Sequence, residues 1–152
     1  EGLRQILEHS GADPTLLTLE VTEGLVIDDF DDVVAKMRAL VALGVEFSLD
    51  DFGTGYSSLA YLKRLPIREI KIDRSFVRDA SNNADDGALV EAILSVARHF
   101  GMRVVAEGVE TQAQADFLVA HAPAIVYQGF LFSRPESAAD WLARLAPVEA
   151  PG

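Results

Sequence analysis

Apolar and polar residues alternate through Leu17-Thr18-Leu19-Glu20-Val21-Thr22 and again through Val45-Glu46-Phe47-Ser48-Leu49-Asp50. A period of two predicts strands with one apolar and one polar face. Between such runs the apolar spacing becomes helical. The chain therefore reads as a helix followed by five βα units, the alternation that gives parallel strands joined by crossover helices. Strands are predicted at Thr15 to Thr22, Val45 to Asp50, Arg68 to Ile72, Arg103 to Ala106 and Ala124 to Tyr127. Helices are predicted from about Gly2 to His9, Asp31 to Leu43, Asp86 to Phe100, from a Thr111 cap to Ala120 and from a Ser137 cap to Leu145. A further short helix follows the glycine-rich segment Asp51 to Ser57 and ends by Pro66, and Ala80 to Ala84 is a polar loop. Gly11, Gly44 and Gly101 mark helix stops, and Asp13-Pro14 turns the chain into its first strand. Residues 1–147 form the folded part, and 148–152 a flexible tail.

Five βα units suit either an open doubly wound sheet or part of a closed barrel. A parallel sheet covered by helices on both faces reads as nearly continuous apolar runs. Here Leu17, Leu19 and Val21 oppose Thr18, Glu20 and Thr22, Val45, Phe47 and Leu49 oppose Glu46, Ser48 and Asp50, and Ile70 and Ile72 oppose Lys71. A polar second face fits a barrel interior, with the apolar face turned to outer helices. A complete eight-unit barrel takes about 250 residues, and 152 fall well short of that. The expected fold class is α/β, a partial (β/α)8 TIM-like barrel of five C-terminal βα units preceded by a helix.

Composition adds exclusions. With 49% hydrophobic and 24% charged residues the chain has the make-up of a globular protein. A formal net charge of -11 argues against DNA or RNA as partner, because phosphate affinity comes from lysine and arginine. There is no cysteine, hence neither disulfide nor thiolate metal site, and no apolar run reaches the roughly 18 residues of a membrane span. The chain starts at Glu1 within helical periodicity and without a signal-peptide pattern. It reads as cut from a longer cytoplasmic protein whose absent domains are the place for any membrane anchor.

Following each polar face to the C-terminal end of its strand gives Glu20, Asp50 with Asp51, Lys71, Glu107 and Gln128. That rim is where barrels place their active sites, and carboxylates converging there repel one another unless cations neutralise them. With no histidine or cysteine among these positions, the donors are hard oxygens that suit Mg²⁺, Mn²⁺ or Ca²⁺ better than zinc. Asp50 bridging would hold two ions.

Five blocks then occur in order: Leu19-Glu20-Val21-Thr22-Glu23, Asp50-Asp51-Phe52-Gly53-Thr54-Gly55-Tyr56-Ser57-Ser58-Leu59, Lys71-Ile72-Asp73-Arg74-Ser75-Phe76-Val77, Ala106-Glu107-Gly108-Val109-Glu110-Thr111 and Gln128-Gly129-Phe130-Leu131-Phe132. Together they resemble the signature blocks of EAL domains, the family that hydrolyses cyclic di-GMP, over essentially the whole chain. The resemblance implies metal ligation by Glu20, Asp50, Asp51 and Glu107, with Asp50 reaching both of two Mg²⁺ or Mn²⁺ ions and Ca²⁺ acting as inhibitor. It implies that Lys71 orients the attacking water, that Glu107 also supports the water shell, and that Gln128 lies near the nucleophile. Glu23 would pin the glycine-rich loop, and Asp51 would touch the nucleotide; Pro135 would touch the guanine base or is equally a simple loop proline. The implied reaction is in-line attack of water on a phosphodiester, metal coordination lowering the water pKa, with linear pGpG as product. A homodimer through the glycine-rich loop region is also implied.

Two departures accompany these matches. The Glu-Ala-Leu signature and the following asparagine motif, which supply two further ligands in the family, are not in this sequence, and the missing strands are needed to close a barrel. The 152 residues alone are therefore expected to be inactive. Before the last strand, His121-Ala122-Pro123-Ala124 replaces the family's Gly-Cys-Asp and is one residue longer. A non-catalytic EAL domain, acting as dinucleotide receptor or protein-interaction module, is the alternative reading. An unrelated divalent-metal barrel such as an enolase-like lyase would leave the glycine-rich loop without a job.

Bland readings compete at single positions. Asp50-Asp51 as a mere cap and Lys71 as a surface lysine both yield to the five matching rim positions. Gly53-Thr54-Gly55 lacks the lysine spacing of a phosphate-binding loop. Glu110 suits the metal shell and a helix start equally, while Asp28, Asp29, Asp31 and Asp32 read as loop and first-turn acids favoured by the helix dipole. His9, His99 and His121 share no ligand-like spacing, and Trp141 lies on an apolar stripe with Leu142 and Leu145.

Overall fold

A computed structural model of the 152 residues describes 2–22, 24, 29–53 and 59–145. Glu23, Asp28, residues 54–58 of the glycine-rich segment and the tail 148–152 lie outside the described residues. Helix α1 spans Gly2–Ser10 and leads through a single 3-10 turn, Pro14–Leu16, into strand β1, Thr18–Thr22. Next come α2 (Phe30–Val41), β2 (Glu46–Phe52), α3 (Leu59–Leu62), β3 (Glu69–Ile72), α4 (Arg74–Asp79) and α5 (Ala84–Phe100). The chain continues with β4 (Arg103–Ala106), α6 (Gln112–His121), β5 (Val126–Tyr127) and α7 (Ala138–Leu145). Among the described residues no helix is long and apolar enough to cross a membrane.

All strands pair in parallel in the order β1-β2-β3-β4-β5. A doubly wound sheet reverses its strand order part-way, whereas crossovers that always step the same way place every helix on one face, as in a barrel wall. The choice left open by periodicity is thereby made. Register confirms the parity: Glu20 pairs Ser48, Ser48 pairs Glu69 and Glu69 pairs Arg103, all on the polar face. Leu19, Phe47, Leu49, Ile70, Ile72 and Ala106 face the helices, where Val34, Met37, Val90, Leu94, Ala97 and Leu118 complete the core.

Local chemistry sets the element ends. β1 starts at Thr18 rather than Thr15 because Asp13 accepts from both the amide and the hydroxyl of Thr15, at 2.9 and 2.7 Å, winding Pro14–Leu16 into a turn. Two further corrections concern β2, which runs past Asp50 to Phe52, and β5, which begins at Val126 rather than Ala124. Helix α4 was not foreseen; Asp73 caps it by accepting from the amide of Ser75 at 2.9 Å and from the Ser75 hydroxyl. Asn83 and Thr111 cap α5 and α6. On α7 the stripe Trp141, Leu142 and Leu145 is exposed.

Burial separates two leucines of α5: Leu94 is 2% exposed and Leu89 47%. Leu94→Ala should lower stability by about 3 kcal/mol, and Leu89→Ala by under about 0.5 kcal/mol, as read from urea unfolding followed by circular dichroism.

Candidate active site

Each strand hands a polar residue to the same rim, and β2 hands over two. Neighbouring residues of a regular strand point to opposite faces, so Asp50 and Asp51 can share a side only through an irregularity. Between β2 and β3 the register runs Leu49↔Ile70 and then Phe52↔Ile72, leaving Asp50 and Asp51 together opposite Lys71. This is a β-bulge. Asp51 has the left-handed backbone φ of 53°, and Phe52 is returned to the helix side, where it is buried. The sequence already carried the signal: apolar residues at 47 and 49 are followed by one at 52 instead of 51.

Lys71 lies at the centre. Its side chain is 7% exposed, and Nζ lies 2.5 Å from Glu107 Oε1, 2.8 Å from Glu20 Oε1 and 3.3 Å from Asp50 Oδ1. Burial alone would lower the pKa of this ammonium, but hydrogen bonds to Glu107 and Glu20, with the charges of Glu107 and Asp50, outweigh it and hold the pKa above its ordinary value of 10.5. A raised value means that the ion pairs contribute fully at neutral pH and fade only as pH climbs past the ordinary lysine range. To reach Glu20 on β1 from β3, the Lys71 chain crosses the width of β2, where Ser48 is fully buried and its hydroxyl has no hydrogen-bond partner among the described residues. One storey below, Arg103 repeats the pattern, reaching Glu69 at 3.3 Å and Glu46 at 2.5 Å.

Carboxylate oxygens of Asp50, Asp51 and Glu107 all lie within 4.8 Å of one another. Three hard anionic donors at that spacing, beside an ammonium and with no histidine or thiolate among them, fit a small divalent cation of the magnesium, manganese or calcium type. Glu20 stands apart from this group and joins the site through Lys71. Gln128 donates from Nε2 to Glu107 Oε1 at 3.0 Å, so the residue after β5 does meet the residue after β4. Pro135 lies in the exposed segment between β5 and α7. The Glu110 backbone N–H donates to Gln114 Oε1 at 2.8 Å, at the start of α6.

A model of the EAL domain matches residues 1–135. The chain belongs to the EAL domain family. Two EAL relatives of Pseudomonas aeruginosa are similar to it. The bifunctional diguanylate cyclase/cyclic di-GMP phosphodiesterase MucR is 45% identical over 146 residues, 96% of this chain and 21% of MucR. The cyclic di-GMP phosphodiesterase NbdA is 46% identical over 133 residues, 88% of this chain and 17% of NbdA. This chain thus spans about a fifth of the curated relatives it matches. Among solved structures, the c-di-GMP complex of the PaMucR phosphodiesterase superposes with a TM-score of 0.85 at 46% identity, covering 91% of this chain and 56% of that one. The manganese/cy-diGMP complex of Klebsiella pneumoniae BlrP1 gives 0.79 at 39% identity, covering 88% and 34%. EAL domains have the TIM-barrel fold, and the five βα units here are part of such a barrel.

Two residues beside the rim of this EAL domain were missed by sequence reasoning. Gln114 is one, a buried amide. Gly129 is the other: a Cβ there would lie 2.2 Å from the carbonyl oxygen and 2.4 Å from the nitrogen of Val109. The close approach lets Val109 N–H donate to Gln128 O at 3.1 Å and Leu131 N–H to Val109 O at 3.0 Å, zipping the exits of β4 and β5 together. A backbone clash of that size has no side chain to yield. Gly129→Ala should therefore separate Gln128 from Glu107 and cost about 1–3 kcal/mol or more. The expected readout is a lowered melting temperature together with weaker Mn²⁺ binding by titration calorimetry.

Proposed function

We propose that the protein carrying this chain is a cyclic di-GMP phosphodiesterase, and that this chain supplies the C-terminal share of its catalytic barrel. The observation that carries the reading is the convergence of Glu20, Asp50 and Glu107 on Lys71 at the C-terminal rim, with the Asp51 carboxylate beside those of Asp50 and Glu107. Relatives of over 40% identity are named for this activity, and an EAL neighbour is a manganese complex of the same dinucleotide. A pure receptor for the dinucleotide would have no need of an ammonium buried among carboxylates.

In this reading Glu20, Asp50, Asp51 and Glu107 would hold two Mg²⁺ or Mn²⁺ ions, and Ca²⁺ would be an inhibitory substitute. Bound cations would supply charge neutralisation at the phosphate and a lowered pKa for water. Lys71 keeps its proton and points N–H donors into the rim, where they orient the attacking water and spread the charge of the carboxylates. Gln128 holds Glu107 in place through its amide. Asp51, displaced by the bulge, and Pro135 border the nucleotide. Water adds to one phosphodiester phosphorus, the P–O bond to the ribose 3′ oxygen breaks, and linear pGpG leaves. The remaining barrel strands come from sequence outside these residues, so the 152 residues by themselves are not expected to turn over substrate. A cytoplasmic site and a dimer through the glycine-rich loop region belong to the same proposal.

With Mg²⁺ or Mn²⁺, the full-length protein should convert cyclic di-GMP to pGpG. Asp50→Asn should reduce turnover by at least about 100-fold, and chelation by EDTA should abolish it. Wild-type turnover by Asp50→Asn, measured by chromatography of the nucleotides, would reject the assignment.

A further inference from the structure

The loop that leaves β4, residues 107–111, is fastened on two sides. Toward β5 it is zipped to Gln128 and Leu131 through Val109. Toward β3 it meets α4 twice. Gly108, at φ 65°, abuts Arg74 so closely that a Cβ would lie 2.6 Å from the Arg74 Cβ. The second contact is Gln114, one of the few polar side chains that are buried, at 6% exposure.

Gln114 makes four hydrogen bonds. Its Oε1 accepts from the N–H groups of Glu110 and Thr111 at 2.8 and 3.0 Å, and its own N–H donates to Thr111 Oγ1 at 3.3 Å. Those bonds make the capping box of α6, and a glutamate would satisfy them equally, because a capping box asks only for an acceptor. The fourth bond is different. Nε2 donates to the carbonyl oxygen of Arg78 at 2.9 Å, in the last turn of α4. Only an amide can serve both ends. Helix α4 follows β3 directly, so this bond joins the loop that carries Glu107 to the helix next in chain to the strand that carries Lys71, alongside the 2.5 Å Lys71–Glu107 ion pair.

We propose that Gln114 is a positioning residue of the rim, its amide fixing the β4 exit loop against α4 and so setting the placement of Glu107 relative to Lys71 and Asp50. The inference rests on the phosphodiesterase reading for its kinetic consequence and on the geometry alone for its effect on metal binding. Misplacement of a ligand by about 1 Å is enough to cost up to about 100-fold in rate.

The test compares Gln114→Glu with Thr111→Ala in the full-length protein. Glutamate keeps the capping acceptors and loses the donor to Arg78, whereas alanine at 111 removes the helix cap and leaves the α4 tie intact. Expected for Gln114→Glu is a kcat about tenfold lower with KM within about twofold, and an Mn²⁺ dissociation constant about tenfold weaker in calorimetry without nucleotide. Thr111→Ala should lower the melting temperature while keeping kcat and Mn²⁺ affinity within about twofold. Gln114→Met loses the capping acceptor as well as the donor to Arg78. Where the glutamate variant does not fold, Gln114→Met should show the lowered melting temperature of Thr111→Ala together with the losses of about tenfold in kcat and Mn²⁺ affinity, and near-wild-type values of both would overturn the proposal. Wild-type kcat and Mn²⁺ affinity in Gln114→Glu, or parallel losses in both variants, would overturn the proposal. A wild-type protein that binds Mn²⁺ without hydrolysing cyclic di-GMP would sink the phosphodiesterase reading instead, and the Mn²⁺ affinities would then decide the role of Gln114.

Discussion

The rim is organised by one ammonium. Lys71 stands among Glu20, Asp50 and Glu107, each from a different strand, and without it three carboxylates would face one another across a few ångströms. Its side chain leaves β3, passes over β2 and ends beside β1; lower in the lumen, Arg103 makes the same journey from β4 to β2. Long cations that span two strands hold the polar face together where hydrogen-bonded pairing only sets its spacing. Lys71 is the buried one of the two, and a buried charge with its partners removed is costly, so Lys71 and its carboxylates constrain each other strongly.

Around that ammonium, backbone irregularities do the positioning. The bulge in β2 brings Asp51 to the side of Asp50, and the approach of Gly129 to Val109 sets Gln128 against Glu107. Gln114 closes the third seam, between α6 and α4. The residues carrying charge sit on strand ends, whereas those that place them belong to turns and helix starts. That division of labour suits a site whose acids come from several strands.

Much of this was legible from the letters of the chain, for a physical reason: burial on one face imposes period two, and five strands that obey it leave few ways to arrange the polar remainder. Parity alone therefore assigned Glu20, Asp50, Lys71, Glu107 and Gln128 to one rim. What escaped it depends on spatial contacts that no periodicity encodes. The donor from Gln114 to Arg78 spans 36 positions, and the need for glycine at 129 arises from the backbone of residue 109. Helix α4 is too short for a hydrophobic period, although its Asp-x-Ser cap was visible. The turn at Pro14–Leu16 shows a side chain outcompeting strand propensity locally.

The extra residue in β2 also has a bearing on how this strand can change. Deleting either aspartate would restore an unbroken ladder with β3 and, by hydrogen bonding alone, a better sheet; it would also leave a single acid at the lip. On the phosphodiesterase reading, sequence drift toward regularity here carries a chemical penalty, so the defect and the reactivity would be inherited together. Grafting the two acids onto an unkinked strand of another barrel would send one of them outward, into the layer of helices.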